Sequence, residues 1–269
     1  MLAEWLHPPS PSMMWLMYGA SYLFSTRGVR WALDPILPRH LVKELPTNLP
    51  LEPLSKLSFV LLTHDHSDHR DDRLVESLRG TGVRVVAPGH IAARVRTLTE
   101  PGQVIEARPG EDLELAGIHV HPFPGLHWVE ENGRRVGIDA VGYRVEANGQ
   151  LWLFPGDVRD YDAEAICHQG PADLLFAHLW LGRGQASLAT PPLLEPFCRF
   201  LLACTPKSVV LTHLYEFSRD VHDLWHQRHA DLVRARWASL APSVPLIIPE
   251  IGEGVILQEP REGSITKPG

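Results

Sequence analysis

The chain has 269 residues, 44% of them hydrophobic, enough for one or two substantial cores. A formal charge of −7 argues against a broadly basic surface for nucleic acid, and Lys43, Lys56, Lys207 and Lys267 form no cluster. Cys167, Cys198 and Cys204 are widely spaced with no Cys-x-x-Cys pair, which excludes a disulfide framework or a thiolate zinc site and fits a reducing compartment.

Residues 1–12 carry Pro8, Pro9 and Pro11 and read as an irregular lead-in. The longest apolar stretch, Met13–Phe24, is too short to span a bilayer and has no basic segment before it, so a cytoplasmic protein without a membrane span or secretory signal is expected. Strands are predicted at Met13–Tyr18, Ser21–Ser25 and Arg30–Leu33, the last closed by Asp34-Pro35. Pro38, Pro46, Pro50 and Pro53 make residues 36–56 a surface loop, and Ser58–Thr63 is a buried strand. Leu74, Val75 and Leu78 fall at helical spacing within Arg70–Arg79, with Asp71 and Asp72 at its N-terminal end. A strand at Val83–Ala87 and a helix at Ile91–Leu98 follow.

From Val104 to Phe154 the pattern is strand-rich, with Asn148-Gly149 as a two-residue hairpin turn. Asp173–Ala177 and Ser208–Thr212 are further buried strands, Leu193–Cys204 and Asp220–Leu240 helices, and Pro245–Leu257 a terminal strand pair. Residues 258–269 form a polar tail expected to fray. Early strands followed by strand–helix alternation fit packed sheets with helices outside, in one α/β domain over 1–269.

The chemistry concentrates where the Ser58–Thr63 strand empties into His64-Asp65-His66-Ser67-Asp68-His69. Imidazole and carboxylate suit zinc and related divalent ions. On an extended backbone His64 and His66 point the same way, and Asp68 and His69 follow once the chain turns, so this segment can serve two metals. A single histidine in a polar loop is usually structural; three histidines and two aspartates in six residues behind a buried strand indicate metal binding.

The spacing His-x-His-x-Asp-His resembles the signature of the metallo-β-lactamase-fold hydrolases. Further segments recur in order: Gly125-Leu126-His127-Trp128, Pro155-Gly156-Asp157 and Leu211-Thr212-His213, with Tyr18-Gly19-Ala20-Ser21 and Leu33-Asp34-Pro35 upstream. The resemblance implies a four-layer αββα sandwich and two divalent ions. Zinc is expected, with manganese or iron as alternatives. It further implies that His64, His66 and His127 hold one metal, that Asp68, His69 and His213 hold the other, and that Asp157 bridges. The implied activity is hydrolysis of a small molecule's ester, lactone or phosphodiester by a bridging hydroxide. An iron-dependent oxidoreductase on the same fold and a non-catalytic metal-binding protein are the competing readings.

Within the superfamily the chain most resembles the branch of ascorbate-6-phosphate lactonase and the N-acyl-phosphatidylethanolamine phosphodiesterases. It departs at the turn Gly182-Arg183-Gly184-Gln185, where that branch is glycine-rich with a histidine, so substrate does not carry over. Arg183 is a candidate for a substrate phosphate or carboxylate, and Trp128 and Trp180 for pocket walls. Asp68 is a candidate to orient the nucleophile, and His178 and Tyr215 to serve as the acid. His119 and His121 alternate on a strand, at the core edge or surface. His222, His226 and His229 recur at helical spacing and read as a solvated helix face. Oligomeric state is not legible.

Overall fold

The strands β1 (Ser12–Tyr18), β2 (Ser21–Thr26) and β3 (Val29–Leu33) form an antiparallel meander whose side chains are nearly all buried. Side chains alternate across a strand, so one buried on both faces needs two covers. Met14, Leu16, Phe24 and Trp31 pack inward against a second sheet, while Met13, Trp15, Leu23 and Ala32 pack outward beneath helices. The structure, a computed structural model, describes residues 1–10, 12–37, 51–161, 163–216 and 219–257.

From β3 the first sheet continues in parallel through β4 (Phe59–Leu61), β5 (Arg84–Pro88) and β6 (Val104–Ala107). Helices α1 (Leu2–Leu6), α2 (Asp72–Ser77) and α3 (Gly89–Leu98) lie on its outer face, joined to it through Trp5, Leu74, Val75, Ile91 and Val95. Asp71 caps α2 by accepting from the backbone N–H groups of Arg73 and Leu74.

The second sheet opens with β7 (Leu113–Leu115) and β8 (Ile118–Pro124). A separate two-stranded ribbon follows, β9 (Trp128–Glu131) with β10 (Arg134–Gly137). The hairpin β11 (Val141–Ala147) and β12 (Gln150–Phe154) turns at Asn148-Gly149 and adds to β8. Then β13 (Leu174–His178), β14 (Ser208–Thr212) and β15 (Leu246–Ile247) extend it in parallel. Helices α4 (Ala163–Cys167), α5 (Leu194–Ala203) and α6 (Gln227–Leu240) cover its outer face around Phe197, Leu201, Val233 and Trp237. The last strand, β16 (Gly254–Ile256), returns to the first sheet beside β1. Two seven-stranded sheets therefore face each other with helices outside both, the expected four-layer αββα sandwich.

Four expectations need correction. The lead-in is not wholly irregular: α1 precedes the prolines, and fully buried Trp5 donates from Nε1 to the Phe24 carbonyl at 3.0 Å. The last helix begins at Gln227, not near Asp220. Upstream carbonyls are turned to other segments, His222 O to Ala186 N at 2.7 Å and Trp225 O to Tyr215 N at 2.8 Å, and the helical ladder starts after them. As a result His222, His226 and His229 share no solvated face, and His229 is buried, with Nε2 2.8 Å from the Ala186 carbonyl. Finally, β15 and β16 do not pair with each other; each completes an edge of a different sheet. Most of the predicted loop at 36–56 and the tail at 258–269 lie outside the described residues.

Candidate metal centre

Every candidate ligand leaves a strand at the same edge of the sandwich, the carboxyl ends of the parallel strands. The first sheet supplies Asp34 after β3 and Thr63–His69 after β4; the second supplies His127 after β8, Asp157 after β12, His178 at the end of β13 and His213 after β14. A rigid strand fixes each backbone, and the loop just beyond it can direct a side chain toward the seam between the sheets. Two of these residues, Asp34 (φ 44°) and His213 (φ 68°), sit in the left-handed region, a conformation that non-glycine residues seldom adopt and that clusters at functional sites.

The structure brings the seven predicted ligands together. Ligand atoms of His64, His66, His127 and Asp157 lie within 4.8 Å of one another, as do those of Asp68, His69 and His213. Asp157 links the two groups: its carboxylate is 3.6 Å from His127 Nε2, 3.3 Å from His69 Nε2 and 3.5 Å from His213 Nε2. His64 Nδ1 meets Thr63 Oγ1 at 2.9 Å, which leaves its Nε2 to face His66 Nδ1 at 3.2 Å.

Both nitrogens of His127 and the Nε2 atoms of His69 and His213 are buried without a hydrogen-bond partner. Buried polar atoms are almost always bonded, so unsatisfied imidazole nitrogens converging on carboxylates are what a divalent cation would complete. The donor set therefore fits a metal.

The electrostatics agree. Burial pushes Asp157 up, but His213, His69 and Arg159 outweigh it and hold the carboxyl well below its usual range. His213 is depressed by burial, yet Asp157 and Glu216 carry it up to about 10. Burial likewise opposes the proton on His69, but Asp157 and Asp68 raise it well above an ordinary imidazole. Without a cation, the site makes its histidines the counter-charge.

Outer contacts orient the ligands, as in many metal sites. Asp34 Oδ2 lies 2.7 Å from His69 Nδ1, and its Oδ1 accepts from Thr63 N at 2.8 Å. Arg159 donates from Nη2 to Asp157 Oδ2 at 2.9 Å. Buried Glu216 stands 3.2 Å from His213 Nε2 and accepts from Arg219 Nη2 at 2.7 Å. Asp34 stands in the sequence within the Asp-Pro end of a strand that the resemblance picks out, with no role attached, and Arg159, Glu216 and Arg219 carry no motif at all.

The other predicted residues divide. Arg183 and Trp180 line a cleft of about 340 Å³ together with His66, His127, Arg159 and Arg219. His178 lies behind the site: Nδ1 is 2.8 Å from Asp157 Oδ1, Nε2 is 3.0 Å from the Tyr22 hydroxyl, and the residue is 4% exposed. Tyr215 lines a different depression with Leu16 and Arg234, and its hydroxyl accepts from Gln227 N at 3.1 Å. Trp128 borders a third with His90 and Asp139. As for the surface expectation, His119 is exposed and His121 pairs with Asp112 at 2.5 Å.

Several known proteins resemble this chain in sequence or in fold. A metal-dependent hydrolase of Cupriavidus metallidurans, named UPF0173, is 24% identical over 209 residues, covering 70% of this chain and 71% of its own. Igni18, a metallo hydrolase from Ignicoccus hospitalis, superposes with a TM-score of 0.66 at 19% identity over 92% of this chain and 98% of that one. CmlA, a diiron β-hydroxylase from Streptomyces venezuelae, does so with a TM-score of 0.62 at 16% identity, over 93% of this chain and 55% of its own. The family model described as the beta-lactamase superfamily domain matches residues 31–214, which include every candidate ligand. The chain belongs to that family, the proteins of the metallo-β-lactamase fold.

Proposed function

We propose that the protein is a metal-dependent hydrolase that works with two divalent ions and cleaves an ester, lactone or phosphodiester of a small molecule. The observation that carries this reading is the convergence of two ligand groups on one shared carboxylate, Asp157, with three imidazoles left unsatisfied there. His64, His66 and His127 would hold one ion, Asp68, His69 and His213 the other, and Asp157 both. Ions so held would supply the acidity that makes water a nucleophile at neutral pH and would draw charge from the bond under attack.

The chain's own residues do the rest. Asp68, half-buried with Oδ2 3.7 Å from His213 Nε2, is placed to orient the attacking water. His178, with both nitrogens engaged, positions Asp157 rather than meeting substrate. Trp180 and Trp225 wall the cleft and exclude water from one side. The resemblance to the lactonase and phosphodiesterase branch supports the bond classes named.

The imidazole and carboxylate donors of both groups suit zinc and related divalent ions. Metal analysis of protein purified without added metal, followed by a chromogenic panel of lactones, esters and phosphodiesters, tests the proposal. Two equivalents of zinc or manganese and turnover on at least one bond class are expected. Stoichiometric iron with oxygen consumption would move the reading to an oxidoreductase. Bound metal with silence across the panel would move it to a binding protein.

A further inference from the structure

We propose that the cleft above the metal centre contains an oxyanion subsite made by Arg159 and Arg183, so that the substrate bears a carboxylate or phosphate remote from the bond cleaved. This rests on the hydrolase reading above and gives that site a substrate class.

Three guanidinium groups line the cleft, and they differ in what they already hold. Arg219 is committed: Nε and Nη2 reach Glu216 Oε1 at 3.0 and 2.7 Å, and Nη2 lies 3.5 Å from Asp68. Arg159 is half committed. Its Nη2 holds Asp157, its plane lies 4.8 Å over the Trp180 ring, and its Nη1 is buried with no hydrogen-bond partner. A buried donor left open at the wall of a cleft is one that a ligand acceptor can satisfy. Arg183 is uncommitted: among the described residues its guanidinium has no hydrogen bond or ion pair.

The turn that carries Arg183 is nevertheless pinned. Gly182 (φ 114°) and Gly184 (φ 67°) allow the reversal, Gly184 N donates to Asp223 Oδ1 at 2.5 Å, and Ala186 N donates to the His222 carbonyl at 2.7 Å. A side chain on a held backbone loses less freedom when it grips a ligand. Guanidinium presents two parallel N–H groups to a carboxylate or phosphate, which suits it to this task better than a point charge.

The cleft's two acidic residues are outnumbered by its three arginines: Glu216 is paired with Arg219, and Asp223 keeps its charge while accepting from the Gly184 N–H. Trp180 and Trp225 supply apolar wall in the same cleft as His66 and His127. The site thus favours a substrate with an anionic end, an apolar middle and a scissile bond over the metal ligands.

The test uses metal-loaded protein and two probes, the mono-4-nitrophenyl ester of glutarate and its neutral methyl diester. Wild type should prefer the anionic ester. Arg183→Ala should lower the anionic-to-neutral ratio of kcat/KM about tenfold, the scale of one charge-assisted contact. Arg159→Lys should lower it in the same direction. The control Arg199→Ala removes an exposed arginine on α5 that pairs with Glu195 and should leave the ratio alone. A phosphonate version of the anionic probe decides which oxyanion is preferred. A wild type indifferent to the charge, or variants that lose both esters equally, overturns the subsite.

If neither ester is hydrolysed, the hydrolase reading fails on these bonds and the subsite is judged separately by calorimetric binding of glutarate. About tenfold weaker binding to Arg183→Ala supports it; equal binding overturns it.

Discussion

Asp34 offers the sharpest single perturbation of the metal centre, because it acts through a proton position. Its Oδ1 accepts from Thr63 N at 2.8 Å, while Oδ2 accepts from Thr63 Oγ1 at 2.5 Å and lies 2.7 Å from His69 Nδ1. With the His69 proton on Nδ1, the Nε2 lone pair is free toward Asp157, 3.3 Å away. Asp34→Asn preserves shape but, with its carbonyl kept toward Thr63 N, sets an NH₂ group where Oδ2 accepted. Donor then meets donor, and His69 must move its proton to Nε2, the atom that would bind metal. Loss of such an orienting partner costs about 10- to 100-fold in metal affinity, or about 1.4 to 2.8 kcal/mol. The loss should be larger in the group of Asp68, His69 and His213 than in that of His64, His66 and His127, which Asp34 reaches only through Thr63 Oγ1. Competition against a chromogenic zinc chelator resolves the two steps. Asp34→Ala is not an equivalent test, since it strands three buried donors at about 1–3 kcal/mol each. Two wild-type steps in Asp34→Asn would refute the tautomer argument.

Gly137→Ala should cost metal in the other group. A Cβ at Gly137 would stand 2.2 Å from the His127 carbonyl oxygen and 2.7 Å from Trp128 Cα, so the ribbon must lift and drag His127 with it. Metal analysis should show stoichiometry falling from two toward one. Loading metal should also release protons, since neutral imidazole is the ligand and the carboxylates keep His69 and His213 protonated in the metal-free protein. Calorimetry in buffers of different ionisation enthalpy should count about two protons near neutral pH; none released would place the metal elsewhere. Away from the site, burial lowers the pKa of His229, whose Nδ1 accepts from His226 N at 3.0 Å. The unfolded chain takes up this proton below about pH 6.5 and the folded one resists, so the contribution to stability is present above that pH and lost as pH falls. Urea midpoints between pH 8 and pH 5 should fall less steeply for His229→Gln.

What could be read from the sequence was what is local. Four of the predicted ligands fall within His64–His69, and His127, Asp157 and His213 each follow an apolar strand, so strand ends and spacing were enough to find them. The layers were legible because Phe59 and Leu61 face one way and Val60 and Leu62 the other, a period of two that implies two covers. Residues that work through distant contacts were not legible. Tyr22 meets His178 across 156 positions, a contact that exists only once two sheets are stacked. Glu216 reaches His213 because His213 and Tyr215 take positive φ, which no periodicity announces. The start of α6 was misread for a similar reason, since the carbonyls of His222 and Trp225 are turned to Ala186 and Tyr215 in other segments.

The placement of the site on the seam explains why so much charge can be buried there. His64, His66, Asp68 and His69 come from the first sheet and His127, Asp157 and His213 from the second, so neither half holds a complete group. Behind Asp157, Tyr22 of β2 joins Thr212 of β14 and His178 of β13, a polar contact between the sheets that sets the Asp157 carboxylate from the rear. Asp34, Asp68, Asp157 and Glu216 put four carboxylates around this seam, while Arg159 and Arg219 supply only two guanidinium groups. Carboxylates held this close repel unless a cation or a protonated imidazole lies between them. In the metal-free protein protonated His69 and His213 take that place, and cations would replace their protons as the counter-charge. The outer cores built on Trp237 and on Leu74 reach the same edge through Leu126, Val158 and Leu214 on one side and Leu62 on the other, so each ligand loop is anchored in the packing behind it.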